Sequence, residues 1–159
     1  MAIEKTIIAN YGDADLGKTS SILRVYEKLC AVVDNETTPE VIHSKEESNG
    51  DLCAILIIHG VKVGIASLGD PWSNQKCWLD DLLNAGCEII LAACRYSGAT
   101  TKKIENFAQK NNYTLYWTEN ARFYKATSGQ RIAPKGIGNR FNDQWATEVA
   151  NLIESWCWV

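Results

Sequence analysis

Two rhythms of apolar positions alternate along the chain: short unbroken apolar runs, and longer stretches whose apolar residues fall three and four apart. The runs read as buried strands and the stripes as amphipathic helices. Residues 6–10 give a first strand. Lys18–Cys30 gives a helix in which Ile22, Tyr26 and Leu29 share one stripe, with Val25 beside it. The polar stretch 34–39 is a turn, because the residue before Pro39 avoids helical geometry. A short strand at 40–43 and a charged loop at 44–51 follow. Leu52–Ile58 and residues 61–67 flank His59 and Gly60, the apolar–turn–apolar layout of an antiparallel hairpin.

Ser67 to Pro71 breaks the second hairpin strand, and a helix is expected over 74–85, with Trp78, Leu79, Leu82 and Leu83 inward and Gly86 as its stop. Residues 88–94 form the most continuously apolar run, as expected of a strand at the sheet centre covered on both faces. Thr100 or Thr101 caps a third helix that runs to Asn111 over Ile104, Phe107 and Ala108. The last strand is 113–118. Asn142 or Asp143 then caps a final helix lined by Trp145, Val149, Leu152, Ile153 and Trp156. This alternation predicts an α/β fold, a mainly parallel sheet wrapped by helices, with the hairpin adding one antiparallel strand at an edge. Trp78, Trp117 and Trp145 are expected in the core. Trp72 also reads as core, with stacking on a base or substrate as its functional alternative. The apolar end, Trp156 to Val159, is expected to dock the last helix rather than to join two copies.

Composition narrows the class. With 159 residues, 46% hydrophobic and 22% charged, the chain is expected to form one domain over 1–159 with a proper core. A net charge of −3 argues against a dedicated nucleic-acid binder. The start carries no secretory pattern, and no apolar run is long enough to span a bilayer, so a cytoplasmic protein with no membrane partner is expected. The six cysteines are scattered without a C-x-x-C pair and read as buried reduced thiols; His43 and His59 have no ligand-like neighbour.

The chemistry concentrates between the first strand and the first helix. Gly12, Asp13, Ala14, Asp15, Leu16, Gly17, Lys18 and Thr19 match the phosphate-binding pattern G-x-x-x-x-G-K-[ST] at every fixed position, in strand–loop–helix context. Backbone N–H groups of such a loop, with those of the helix start at Ser20 and before, form a concave anion site. Lys18 would reach the terminal phosphates and the Thr19 hydroxyl would hold magnesium. Through this loop and the order of its elements the chain resembles the P-loop NTPase superfamily over most of its length. That resemblance implies a three-layer P-loop NTPase fold, with magnesium and a nucleoside triphosphate as cofactor and ligand. The hairpin after a threonine-bearing turn is similar to the layout of Ras-like small GTPases, in which such a turn supplies a threonine to magnesium; Thr37 or Thr38 would match it.

Departures from the GTPase pattern point to an adenine nucleotide. After the strand ending near Trp117 the sequence is Thr118, Glu119, Asn120, Ala121, which is no N-K-x-D, and Ser67 to Asp70 is no D-x-x-G. ATP with Mg2+ is therefore expected ahead of GTP. Asp13 and Asp15 place negative charge beside bound phosphate, which weakens binding unless solvent or magnesium screens it. Asp70 is the candidate second magnesium ligand, about three residues past the standard position that Ser67 occupies. Ser67 would bond a metal-bound water, and Asp34 is a substitute ligand. Arg95, following the 88–94 strand, is the candidate catalytic arginine beside Lys18. The segment 121–141 carries Arg122, Lys125, Arg131, Lys135 and Arg140 and no acidic residue, and reads as a lid, a clamp on an acidic partner, or a surface loop. Three functions follow: Mg-ATP hydrolysis; a kinase for a small-molecule or nucleotide phosphoryl acceptor, with 121–141 as lid; and a regulatory module that binds nucleotide without turning it over.

Overall fold

The computed structural model describes residues 3–12, 18–44, 50–69, 72–95, 99–119 and 137–158. In chain order the elements are β1 (Thr6–Gly12), α1 (Lys18–Cys30), β2 (Glu40–Ser44), β3 (Leu52–Ile58), β4 (Val61–Ala66), α2 (Trp72–Asn84), β5 (Ile89–Arg95), α3 (Ala99–Lys110), β6 (Thr114–Thr118) and α4 (Ile137–Cys157). The six strands form one mixed sheet in the order β2-β3-β4-β5-β1-β6. β4, β5, β1 and β6 are parallel, while β3 runs antiparallel to both β2 and β4. The α/β expectation holds. The antiparallel strand, however, is not at the edge. Leu52–Ile58 is apolar on both faces and lies inside the sheet, and the more exposed β2 forms the border.

Strand alternation divides the core. Ile8, Leu56, Val63, Ile65, Ile89 and Leu91 face Ile22, Val25 and Leu29 of α1 and Ala146, Val149 and Ile153 of α4. Ile7, Cys53, Ile55, Ile90 and Ala92 face Trp78, Leu79 and Leu82 of α2 and Phe107 and Ala108 of α3. Two helices therefore cover each face.

Turn chemistry sets the joints. His59 (φ 49°) and Gly60 (φ 79°) make a two-residue turn with both central residues left-handed, the twist that suits a tight hairpin. Gly86 (φ 84°) ends α2: its N–H donates to Leu83 O at 3.0 Å and that of Cys87 to Leu82 O at 3.1 Å. Asn112 (φ 61°) ends α3 in the same double bond pattern, which satisfies the last carbonyls of each helix.

Five expectations need correction. α4 begins at Ile137, so Asn142 and Asp143 lie within it rather than at its cap, and Asp143 pairs with Lys28 of α1 at 3.2 Å. The spacing of four through Ile137, Phe141, Trp145, Val149, Ile153 and Cys157 carries the helix past the weak formers Gly138 and Asn139. Trp117 is 37% exposed because β6 is an edge strand, and Leu152 is 43% exposed on the outer side of α4. α3 starts at Ala99, so Thr100 and Thr101 fall in its first turn. No disulfide joins the six cysteines; Cys53, Cys87, Cys94 and Cys157 are buried, but Cys77 is exposed on α2. The chain end docks as expected, with Cys157 buried and the Trp158 ring 3.6 Å from that of His59.

Candidate functional site

The parallel strands all point their carboxyl ends the same way, and β1 and β5 finish together, with Gly12 opposite Arg95. From that shared end the chain leaves in opposite directions. After β1 it passes to α1 on one face of the sheet, and after β5 to α3 on the other. Neighbouring strands whose exits diverge to opposite faces leave a crevice between them, the place where open α/β sheets bind ligands. The two ends of the phosphate-loop motif border this crevice: Gly12 closes β1 and Lys18, Thr19 and Ser20 open α1. The first turn of α1 contains no acidic residue, so none within the helix itself offsets the positive end of its dipole.

The other candidates divide by position. Asp13, Ala14, Asp15, Leu16 and Gly17 lie outside the described residues, as do Asp70 and residues 120–136. Gly12 and Arg95 are brought to adjacent strands, about 4.8 Å apart in the pairing direction. In sequence Asp70 follows β4, and β4 is not next to β1, since β5 intervenes. Arg140, counted with the basic segment, sits on α4.

Thr37, Thr38 and Asp34 are at the wrong end. The Asp34 carboxylate accepts the N–H of His59 at 2.6 Å and that of Gly60 at 2.8 Å, and Thr37 Oγ1 donates to Asp34 O at 2.6 Å. The turn that they brace opens β4 at the amino ends of the parallel strands, more than a strand length or about 30 Å from Gly12. Neither the GTPase-like threonine nor Asp34 as metal ligand fits this topology. Ser67 is also committed elsewhere. Its fully buried hydroxyl donates to Asp51 Oδ1 at 2.9 Å and accepts the N–H of Leu52 at 2.8 Å, extending the β3–β4 ladder by one rung.

Two polar groups near the carboxyl edge were not read from the sequence. Asp51 is a buried carboxylate just before β3, signalled only by its place between Gly50 and an apolar run. Gln75 is fully buried in α2, and its Nε2 donates to Ala93 O, one residue beyond the last β4–β5 pair. Sequence periodicity gives no signal for it, because it does not reveal where a ladder ends and leaves a carbonyl to be satisfied.

Elsewhere, burial pushes the thiols of Cys53, Cys87 and Cys157 up to about 12, so they are protonated and poor nucleophiles at neutral pH. Among the described residues no three His, Cys, Asp or Glu side chains gather into a metal-binding group.

Neither a family model, nor a curated protein, nor a solved structure is similar to this chain. The functional reading therefore rests on the motif and on the crevice.

Proposed function

We propose that the protein binds Mg-ATP at residues 12–20 and hydrolyses it. The observation that carries this reading is the coincidence of two independent features. A sequence motif specific for phosphate falls at the one place among the parallel strands where adjacent exits, from β1 and β5, diverge. The strand and helix that the motif requires are both present, with Gly12 ending one and Lys18 starting the other.

In this reading Gly12, Gly17 and the backbone N–H groups between them cradle the phosphates, and the start of α1 adds its field. Lys18 binds and orients the terminal phosphates. Arg95, on the strand beside Gly12, supplies positive charge where negative charge builds up during transfer. Thr19 and Asp70 would hold magnesium, whose chemistry is to neutralise and orient the phosphate oxygens. Asp13 and Asp15 act against affinity. The triphosphate is thereby bound more weakly without magnesium than with it.

Calorimetric titration with ATP and GTP, with and without magnesium, tests the proposal together with a Lys18→Ala variant. Magnesium-dependent ATP binding that is lost in the variant, with phosphate release, is expected. Binding without phosphate release alone, but with transfer of the γ-phosphoryl group to an added acceptor and formation of ADP, would turn the reading to a kinase. Binding with neither release nor transfer would make it a regulatory module. No binding to the wild-type chain would overturn all three.

A further inference from the structure

We infer that the groove between α2 and α3 is a second binding site, for a small aromatic anion. The groove encloses about 320 Å³, at the lower end of the range for small-molecule sites. Its floor and walls are apolar: Phe107 from α3, Leu83 and Trp72 from α2. Its rim carries three lysines, Lys76, Lys103 and Lys110. Among the described residues only one of them is neutralised by a carboxylate. Lys76 Nζ is 2.6 Å from Asp80 Oδ2, and Asp80 is the only acidic lining residue among the described residues. Among the described residues Lys103 and Lys110 pair with no carboxylate. Lys103 leans over the Trp72 ring, 5.9 Å from its centre.

This composition selects the occupant. A flat ring fits the aromatic walls, and the two uncompensated lysines ask for negative charge beside it. They stand two helical turns apart on α3, about 10 Å, so either can hold an anionic group while the ring lies against Phe107 between them. The patch is positive although the chain as a whole carries −3, which makes the attraction a local feature and not a property of the whole surface. A folded protein partner would need roughly 800 Å² of matching surface, far more than this groove offers. The site lies on the α2/α3 face, whereas α1 carries the phosphate-loop motif on the other, so the inference stands independently of ATP binding.

The test uses the full chain with 2-naphthoate as probe and 2-naphthalenemethanol as its neutral counterpart, followed by backbone amide shifts at low ionic strength. Saturable shifts are expected in 72–83 and 103–111, with affinity on the order of a millimolar or tighter for so small a ligand. The neutral compound should bind about tenfold more weakly, and added salt should narrow the difference. In a Lys103→Gln, Lys110→Gln double variant, both positions being exposed, 2-naphthoate should lose about tenfold while the neutral compound is unchanged. Shifts confined to other parts of the chain, equal affinity for the two compounds, or unaltered 2-naphthoate binding in the double variant would each overturn the inference.

Discussion

Asp34 offers the sharpest separation of a structural role from a functional one. Its carboxylate holds both N–H groups of the His59–Gly60 turn, its own N–H donates to Ile57 O at 2.9 Å, and its carbonyl accepts from Thr37. Asp34→Ala removes the two carboxylate bonds and leaves two turn donors to water. A hydrogen bond to a charged group contributes roughly 1.5–3 kcal/mol, but the Gly60 bond is exposed and recovers most of its value from solvent. The net loss is therefore about 2 kcal/mol, which for a chain of this length lowers Tm by about 4–8 °C. Asp34→Asn keeps one acceptor and should lose about half as much. Urea denaturation would read the change as a lower midpoint with an unchanged slope. Because the turn is more than a strand length from Gly12, magnesium-dependent ATP affinity should stay within about twofold. A stability change under about 0.5 kcal/mol would refute the bracing argument. A folded variant that lost magnesium-dependent binding would refute the placement of the site.

Three further perturbations probe other links. At Gly64 an added methyl would sit 2.9 Å from Leu82 Cδ1 and 3.1 Å from Cys87 Sγ, both on buried residues; Gly64→Ala should cost about 1–3 kcal/mol by overpacking, read by thermal melting, and an unchanged Tm would mean that α2 can move away. The thiols of Cys53, Cys87 and Cys157 are raised from 9.0 to about 12, so the unfolded chain releases their protons first. Stability should be full below about pH 9 and fall as pH rises towards 12, by up to about 1.4 kcal/mol per pH unit for each group, and a flat alkaline profile in urea melts would count against it. Asp70→Asn should weaken ATP binding in magnesium at least about tenfold and leave magnesium-free binding unchanged; equal loss in both conditions would remove Asp70 from the metal.

Much of this fold is legible in the sequence because local rules govern it. The period of four along α4, the His59–Gly60 turn and the stop at Gly86 follow from residue chemistry alone. Even the position of Thr37 was open to reasoning, since a helix after a parallel strand returns the chain to the amino end of the sheet. What local rules do not carry is strand order. Nothing near Trp117 says that β6 is an edge, and nothing in the apolar run of β5 says that it enters between β1 and β4.

That insertion changes what the candidate site requires. With β5 beside β1, Arg95 is the register partner of Gly12, so the arginine proposed for the site lies in the sheet and not in the 121–141 segment. The carboxylate has the opposite problem. β4 lies two strand spacings from β1, about 10 Å, and Ser67 is fixed in place by Asp51 and Leu52. Three residues separate Ser67 from Asp70, and three extended residues span about 10 Å. In the proposed site, the three residues that separate Asp70 from Ser67 are thus as long as the gap between β4 and β1. An aspartate at position 67 itself would fall short. Asp51, just before β3, accepts the hydroxyl of Ser67 with its buried carboxylate; Asp51→Asn should therefore lower stability, read as a lower urea midpoint.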